Sequence, residues 1–438
     1  MSDSPFKGIN KTKNELWFSD LKRKRTTGPQ LNNHDYSALG DSTKSIHAGQ
    51  YDDPITGAIG TPIYQNSTFY LDKKSYNAIE EGRTRDNFIY TRYGNPSQWA
   101  VQQKIATIEN AQSAIVFSSG MAAITSTILA LVEKGCHIVT SRDLYGGTYN
   151  FIYEDLQKFG ISTTFVDMTD VKAIESAVTD KTKLLYFESL SNPLLKIAPI
   201  PDLVRIAKNN GCRLVIDNTF LTPYNLKPLD YGVDVVVNSA TKYLGGHSDL
   251  VAGTISGNRK LIDQIWPQML KIGGSLDPHA CFLLERSLKT FALRMRTHNA
   301  NAYELARFLE ECDQIERVYY PGLQSHSQTD LSQTLLQGKN SGMISFEMKG
   351  GDKMAHALLE NLQLPKEATS LGGVESLISL PYNTSQASLT HKQRLAIGIN
   401  DGLVRISTGV EDIIDLMNDF KQAINTIYKK EETSCGTI

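Results

Sequence analysis

Residues 213–247 read RLVIDNTFLTPYNLKPLDYGVDVVVNSATKYLGGH, and this stretch decides the fold. It contains two short apolar, β-branched runs, at 213–216 and 233–237, joined by a turn-rich connection. Continuous apolar runs of this length are typical of strands buried on both faces of a parallel sheet. Asp217 ends the first run, and Lys242 follows the second after a few hydroxyl-rich residues. Because the carboxyl ends of parallel strands meet at the edge where open α/β sheets bind ligands, we predict that Asp217 and Lys242 share a site.

The same pattern extends upstream from this stretch. Further short apolar runs lie at residues 115–117, 136–140, 163–166 and 184–187. Amphipathic segments of helical length alternate with them, at residues 101–110, 122–132, 147–159, 171–178 and 203–210. Short β-branched runs between helices predict an α/β fold with a mostly parallel central sheet covered by helices on both faces.

The C-terminal third has a different order of elements. A long helical region with a break is predicted at 278–309. Strands are predicted after it at 342–348, 377–380 and 404–407, and helices at 353–362 and 411–428. This mixture predicts a smaller α+β domain. We therefore place an N-terminal arm and extended segment at 1–100, a large domain at 101–295 and a small C-terminal domain at 296–438.

Composition and charge argue against several classes of protein. The 438 residues carry 45 Lys and Arg against 47 Asp and Glu, so bulk charge does not predict a nucleic-acid partner. No apolar run reaches the ~18 residues of a membrane span. Five scattered cysteines without C-x-x-C spacing, together with an N-terminus that lacks a secretory signal, predict a cytoplasmic protein without a metal site. The basic run at 22–25 is interpreted as a solvated arm, with a phosphate- or membrane-binding patch as the alternative.

Lys242 and Asp217 are the central candidates for chemistry. A lysine whose pKa falls through burial forms imines with carbonyl groups, whereas an ordinary lysine in a turn faces solvent. A carboxylate at the end of an apolar strand needs a partner unless it caps the next loop. The pyridinium nitrogen of pyridoxal 5′-phosphate (PLP) is such a partner, because an adjacent Asp keeps it protonated and makes the ring an electron sink.

Two strand-to-helix turns provide further candidates. Ser118-Ser119-Gly120-Met121 precedes a helix whose free backbone N–H groups would bind phosphate, although many helices simply begin with Ser. Tyr145-Gly146-Gly147 follows another strand, where the Tyr145 ring would either stack on a flat cofactor or pack ahead of a tight turn.

Two arginines complete the set. Arg405 lies inside an apolar strand pattern and predicts a carboxylate ligand or an internal salt bridge. Arg92, in Tyr90-Thr91-Arg92-Tyr93-Gly94-Asn95-Pro96, predicts either a phosphate contact from an extended segment or an aromatic surface loop.

Together these residues resemble the trans-sulfuration, or Cys/Met-metabolism, family of PLP enzymes. The segment from Asp217 to Asp249 carries the most specific part of the resemblance. The motifs at 90–96, 118–121, 188–193, 370–377 and 403–409 support it, and the resemblance extends from about Ser42 to about Lys429. It implies PLP fold type I, the aspartate aminotransferase-like fold, with a seven-stranded cofactor domain. It also implies a homotetramer built as a dimer of dimers.

The resemblance also implies a role for each candidate residue. Lys242 would bind the PLP aldehyde, Asp217 would pair with the pyridinium nitrogen, and Tyr145 would stack on the ring. The phosphate would be held by Gly120, Met121, Ser239 and Thr241, and by Tyr90 and Arg92 from the neighbouring subunit. The substrate α-carboxylate would be held by Asn192, Ser370 and Arg405. Lys242 would remove the Cα proton, and Tyr145 would protonate the departing thiol.

Three positions depart from the patterns of individual family members, and the first of them counts against a methionine γ-lyase. Methionine γ-lyases usually carry Cys where this chain has Gly147. Thr369 stands where γ-synthases and some γ-lyases often have Glu, and Ser385-Gln386 replaces a Thr-His or Ser-His pair. We rank γ-elimination of L-cystathionine first, cystathionine γ-synthase second, and methionine or homocysteine γ-lyase third.

Two other classes of protein remain as alternatives. A catalytically inactive homologue that serves as a scaffold is opposed by the intact Lys242, Asp217, Tyr145 and Arg405. A nicotinamide-dependent oxidoreductase predicts a glycine-rich fingerprint after the first strand, and Ser118-Ser119-Gly120-Met121 does not provide it.

Overall fold

The computed structural model of the protein describes residues 36, 38–50, 53, 56–384, 386–387 and 390–435. The basic run at 22–25 lies outside the described residues, as do the rest of residues 1–35 of the predicted N-terminal arm and Ser385. Within the described ranges, no helix is long and apolar enough to cross a bilayer.

A seven-stranded sheet forms the centre of the large domain. Its strands in chain order are β1 (Ser113–Phe117), β2 (His137–Ser141), β3 (Ser162–Val166), β4 (Thr182–Glu188), β5 (Arg213–Asp217), β6 (Val235–Asn238) and β7 (Gly253–Gly257). Their spatial order is β1-β7-β6-β5-β4-β2-β3, and every pairing is parallel except the two made by β7. The predicted α/β class with a mostly parallel seven-stranded sheet is confirmed.

Helices surround this sheet and lead to the small domain. In chain order they are α1 (Asp41–His47), α2 (Lys73–Glu80), α3 (Pro96–Ile108), α4 (Gly120–Leu131), α5 (Gly146–Asn150), α6 (Leu156–Lys158), α7 (Val171–Ala177), α8 (Ile200–Asn209), α9 (Thr222–Asn225), α10 (Arg259–Ile272), α11 (Pro278–Leu288) and α12 (Phe291–Glu310). Two apolar cores contain the alternate side chains of the strands, for example Ile216 in one and Val215 in the other. Burial on both faces explains why the strands appear as continuous apolar runs.

Strand β7 was not predicted. Its sequence, Gly-Thr-Ile-Ser-Gly, is bounded by glycines and holds one large apolar side chain. The structure gives the reason for Gly253, because a Cβ there would lie 2.2 Å from the Ser119 carbonyl oxygen. Because the two backbones approach so closely, position 253 must be glycine. The segment therefore lacks an apolar side chain that would have identified it as a strand.

The small domain has a mainly antiparallel sheet with its own core. Its strands are β8 (Ile315–Tyr319), β9 (Met343–Met348), β10 (Lys366–Glu367), β11 (Leu377–Ser379) and β12 (Leu403–Ser407), in the order β10-β11-β12-β9-β8. Its helices are α13 (Thr329–Leu335), α14 (Asp352–Asn361), α15 (His391–Ala396) and α16 (Ile413–Cys435). Helix α12 packs Met295 in a large-domain core and Ala302 in the small-domain core, so it crosses the limit drawn at 295/296. The domain limits from the sequence stay a prediction.

Candidate active site

The candidate site lies at one edge of the large sheet, where the carboxyl ends of β1, β2, β4, β5 and β6 meet. Because these five strands run in one direction, the loops that follow them emerge on the same side. Those loops carry, in chain order, Gly120, Tyr145, Asn192, Thr219 and Lys242.

Asp217 is a buried carboxylate at the end of β5. Its Oδ1 accepts hydrogen bonds from the backbone N–H and the hydroxyl of Thr219, at 3.0 and 2.5 Å. Its Oδ2 accepts a bond of 3.3 Å from the hydroxyl of Tyr186. Burial raises the pKa of Asp217, although these donors act in the opposite direction. A protonated ring nitrogen would supply the positive partner that this buried carboxylate needs.

Glu188 is a second buried carboxyl beside Asp217, in a motif whose sequence did not reveal its role. The two residues are paired in register at the ends of β4 and β5. Burial, followed by repulsion from Asp217, raises the pKa of Glu188 well above its usual range. Its Oε1 accepts a bond of 2.6 Å from the backbone N–H of Tyr145. Glu188 therefore anchors the loop that presents Tyr145.

Lys242 extends from the loop after β6 towards the small domain. Its Nζ donates a hydrogen bond of 2.9 Å to the Oγ of Ser370. Burial, and secondarily the charge of Arg405, lower the pKa of Lys242 to about 8. The lowered pKa favours the neutral amine, which is the form that attacks a carbonyl carbon.

Arg405 lies in the middle of β12 and is almost fully buried. Its Nη1 donates to the side-chain oxygen of Asn192 at 3.1 Å, and its Nη2 donates to the backbone oxygen of Thr369 at 3.2 Å. Its Nε has no hydrogen-bond partner among the described residues, and burial lowers the pKa of Arg405 to about 10. A buried guanidinium with neutral acceptors and an unused N–H fits a carboxylate ligand.

Gln386 contributes to the same arrangement. Its side-chain nitrogen donates a 3.1 Å hydrogen bond to the backbone oxygen of Asn192. The amide that replaces a histidine therefore supports the residue that contacts Arg405. In the sequence, the only indication of this role was that Gln386 stands where the family usually has histidine.

The predicted phosphate-binding residues lie around the start of α4. A Cβ on Gly120 would lie 2.9 Å from the Oγ of Ser239, so the Ser239 side chain covers the first turn of this helix. The backbone N–H of Ser239 donates to the Thr219 hydroxyl at 2.8 Å, which links this group to Asp217. The Thr241 hydroxyl donates to the backbone oxygen of Ala252 at 3.1 Å and accepts from its N–H at 3.0 Å.

Tyr145 is 49% exposed and precedes helix α5. A Cβ on Gly147 would lie 2.7 Å from Cε1 of the Tyr145 ring and 3.3 Å from the sulfur of Met121. The ring is therefore packed over Gly147, next to the start of α4. Tyr145 and Met121 therefore both lie next to Gly147.

Tyr90 and Arg92 are not connected to this group within one chain. The Nη1 of Arg92 donates to the backbone oxygen of Leu270 at 3.0 Å, and its guanidinium lies 5.1 Å from the centre of the Tyr93 ring. Tyr90 is 44% exposed. Their assignment to a neighbouring subunit's site stays a prediction.

The comparisons with known proteins agree with these motifs. The family described as "Cys/Met metabolism PLP-dependent enzyme" matches residues 42–425. An L-methionine gamma-lyase from Treponema denticola is 39% identical over 404 residues, which are 91% of this chain and 100% of the relative. A cystathionine beta-lyase from Coxiella burnetii is 42% identical over 386 residues, which are 87% and 97% of the two chains.

A solved structure gives the same result. Cystathionine gamma-lyase from Lactobacillus plantarum, complexed with L-serine, superposes with a TM-score of 0.84 and 38% sequence identity. The match covers 89% of this chain and 100% of that one. Relatives named for different reactions are thus all 38–42% identical to this chain.

The residues at the sheet edge fit PLP. Asp217 is buried without a cationic partner among its hydrogen bonds, and Lys242 supplies a buried amine of lowered pKa. The start of α4 offers backbone N–H groups beside Ser239, and Tyr145 leaves part of its ring exposed. These are the complements of a ring nitrogen, an aldehyde, a phosphate and a flat aromatic face. The described residues contain no cluster of three or more His, Cys, Asp or Glu side chains suited to a metal ion.

Proposed function

The chain belongs to the Cys/Met metabolism family of PLP-dependent enzymes, and we propose that it is the member that cleaves L-cystathionine by γ-elimination. With one water, the products are cysteine, 2-oxobutyrate and ammonia. The observation that carries the proposal is the hydrogen bond that the Lys242 amine donates to the Ser370 hydroxyl, close to the buried Arg405. One pocket therefore holds a proton acceptor and a carboxylate-binding cation, the two groups needed to deprotonate an amino acid at Cα.

PLP, when bound, withdraws electrons from the substrate Cα and Cβ, which makes the C–H bonds there acidic. We propose that Lys242 binds its aldehyde, Asp217 its ring nitrogen, and Gly120, Met121, Ser239 and Thr241 its phosphate. Tyr145 would cover the ring. The hydrogen bonds that link Ser239 to Thr219, and Thr219 to Asp217, support one continuous binding surface.

Lys242 and Tyr145 would move the protons. The neutral Lys242 amine would take the proton from Cα. Once it has passed this proton on to the bound cofactor, the Lys242 amine would also take a proton from Cβ, and the C–S bond at Cγ would then break. The Tyr145 hydroxyl would give a proton to the departing sulfur, which leaves as the cysteine thiol. The exposure of Tyr145 supports contact with a leaving group that extends towards solvent.

Arg405, Asn192 and Ser370 would hold the substrate α-carboxylate. Arg405 would donate through its unused Nε while Asn192 keeps Nη1 in place. Replacing Arg405 by Met should raise KM at least about 30-fold, because loss of a buried charged partner costs ~2 kcal/mol or more. Arg317, an exposed arginine on a neighbouring part of the small domain, is the matched control.

Gly147 supports cystathionine over methionine as the substrate. The Tyr145 ring is packed over the hydrogen of Gly147, so a Cys at this position, usual in methionine γ-lyases, requires the ring to move.

The decisive experiment is a product assay by mass spectrometry with three sets of substrates: cystathionine, activated homoserine with cysteine, and methionine. The proposal predicts 2-oxobutyrate from cystathionine at the highest kcat/KM. Pyruvate and homocysteine would identify β-elimination, and turnover of activated homoserine alone would identify the γ-synthase. Lys242→Ala should abolish turnover and the visible absorbance of the bound cofactor, while the exposed Lys260→Ala should change neither.

We also propose that the protein is a homotetramer in which sites are shared between subunits. Apolar side chains of the segment 56–94 support this, because Tyr70 is 94% and Ile59 82% exposed in the single chain. Arg92→Ala and Lys242→Ala subunits should each be inactive alone. After mixing they should recover about a quarter of the wild-type activity, since a mixed dimer regains one intact site. If mixing recovers no activity, Arg92 does not contribute to the site of the neighbouring subunit.

The proposed compartment is the cytoplasm. Cys136, Cys212, Cys281 and Cys312, the cysteines with described side chains, are all free thiols. Free thiols are usual where glutathione keeps proteins reduced, and this supports the proposal. Retention of a fluorescent fusion in the soluble cytoplasmic fraction is the expected result.

A further inference from the structure

Arg294 is a buried arginine that lies outside the candidate active site. It lies in the first part of α12 and is 6% exposed. Burial alone lowers the pKa of Arg294 to about 10, with no contribution from a carboxylate. A buried guanidinium without a carboxylate is costly unless neutral acceptors surround it.

The terminal nitrogens of Arg294 donate to three backbone carbonyl oxygens, two of which belong to the residues directly after Lys242, and its Nε donates a longer bond of 3.4 Å to the hydroxyl of Thr290. Its Nη1 donates to the backbone oxygen of Tyr243 at 2.7 Å, and its Nη2 donates to that of Leu244 at 3.4 Å. Nη2 also donates to the backbone oxygen of Ser287 at 3.0 Å, at the end of α11. The guanidinium therefore joins the lysine loop to two helices.

The lysine loop itself is a short helix-like coil. The N–H of Gly245 donates to the Ala240 oxygen at 2.8 Å, and the N–H of Gly246 donates to the Lys242 oxygen at 2.7 Å. The Tyr243 and Leu244 carbonyls are the last of this coil, and carbonyls at such an end lack intrahelical donors. A cation placed there satisfies them and stabilises the end of the coil.

Gly246 shows how closely the guanidinium fits. Its φ is +68°, and a Cβ there would lie 1.9 Å from Nη1 of Arg294 and 2.4 Å from Cζ. The backbone oxygen of Gly246 accepts from Val374 at 3.1 Å, so the far end of the coil is tied to the small domain. Arg294 thus fills the space that the missing side chain leaves.

We propose that Arg294 is a positioning residue that caps the carbonyl end of the Lys242 coil and thereby fixes the lysine amine at the reacting centre. This proposal rests on the proposed role of Lys242. Loss of the cap leaves two buried carbonyls without donors and lets the coil shift. Misplacement of a reacting group by about 1 Å costs on the order of 100-fold in rate.

The test uses the holoenzyme with Arg294→Lys, Arg294→Gln and Arg294→Ala, and with Arg296→Ala as the matched control. Arg296 lies two residues away on the same helix and is exposed. In Arg294→Ala we expect kcat to fall about 100-fold while KM changes less than about threefold, because Arg405 still binds the substrate. Arg294→Lys should recover part of kcat, and Arg296→Ala should leave both constants unchanged.

Two further measurements separate positioning from a general loss of folding. Hydrogen exchange of the peptide over residues 240–246 in the apoprotein should accelerate in Arg294→Ala and Arg294→Gln, with the sheet unchanged. The pH midpoint of the visible cofactor absorbance should shift in the same variants. If Arg294→Ala does not fold, the same shifts are required of Arg294→Gln, and Arg294→Lys should lie between Arg294→Gln and the wild type.

The outcomes distinguish this proposal from the function that it rests on. If Lys242→Ala keeps the visible absorbance, the role of Lys242 is wrong. If Lys242→Ala loses it, but the Arg294 variants match Arg296→Ala in kcat, exchange and pH midpoint, the positioning role of Arg294 is overturned. A uniform loss of exchange protection throughout the large domain would also overturn it.

Discussion

Glu188 and Asp217 face each other in register at the ends of two neighbouring parallel strands, and both carboxyl groups are buried. Two adjacent buried carboxyls do not both ionise readily, so one of them retains its proton. The pKa of Glu188 is raised well above its usual range by burial and by Asp217. We therefore assign the proton to Glu188 and the negative charge to Asp217.

Glu188→Gln should keep kcat within about threefold of the wild type near neutral pH. A neutral amide keeps the oxygen that accepts from the backbone N–H of Tyr145. Glu188→Ala removes this acceptor and should lower kcat about tenfold, since an unsatisfied buried donor costs ~1–3 kcal/mol. Steady-state kinetics check both variants. An equal loss in both would mean that Glu188 acts as an anion.

The rate at which the apoenzyme binds PLP should rise as the pH passes through about 8, which is below the usual pKa of a lysine. Deprotonation gives the reactive amine, and the pKa of Lys242 is lowered to about 8 by burial and by Arg405. Arg405→Gln removes a positive neighbour, so the protonated amine becomes more favourable and the midpoint should move upward. Stopped-flow absorbance gives the rates. An unchanged midpoint in Arg405→Gln, compared with Arg317→Gln, would contradict this coupling.

Gly147→Ala should reduce kcat for cystathionine about tenfold with little change in KM. The added methyl group would lie 2.7 Å from Cε1 of Tyr145, so the ring must move away from its position. Displacement of a proton donor lowers the rate of the chemical step more than it weakens substrate binding. Gly40→Ala, where a Cβ meets nothing within 4 Å, is the control for the substitution itself. Equal kcat in both variants would show that Tyr145 does not depend on Gly147.

Glu109→Gln should stabilise the protein above neutral pH and have little effect near pH 5. Glu109 is fully buried, and its Oε1 accepts from the side chain of Asn238 at 2.7 Å. Burial raises the pKa of Glu109 to about 7; Asn238 and Lys227 oppose this shift, and Asp230 adds to it. The folded state thus holds a proton that the unfolded state releases above about pH 4.5.

This difference in proton binding sets the direction in which stability changes with pH. Stability from Glu109 is fully present below about pH 4.5 and is lost as the pH rises through about 7. Gln has no proton to lose, so the variant should gain up to about 3 kcal/mol over the wild type at pH 8. Melting temperatures at pH 5 and pH 8 provide the measurement, with the exposed Glu133→Gln as the control. A gain of equal size at both pH values would contradict the titration of Glu109.

Much of the large domain was predictable because its signals are local. Five of its strands, β1, β2, β4, β5 and β6, are buried on both faces, and such segments are visible without knowledge of their neighbours. The seventh, β7, was missed because Gly253 is required by the approach of Ser119, a residue more than a hundred positions away. Helix α10 and strand β8 were also missed, and their sequences mix apolar and charged residues without a continuous run.

The sequence by itself determined the α/β class, six of the seven strands of the large sheet and the polar residues at their carboxyl ends, and therefore the edge at which the candidate site lies. Only the tertiary structure decided which groups meet there. Lys242 contacts Ser370 across 128 residues and Arg405 contacts Asn192 across 213, and both contacts join the two domains. The tertiary structure also decided that Glu188 is buried beside Asp217 and that Arg294 contacts the lysine loop. The physical reason is that strand burial leaves a periodic local pattern, whereas the pKa and orientation of a side chain depend on neighbours that are distant in the chain.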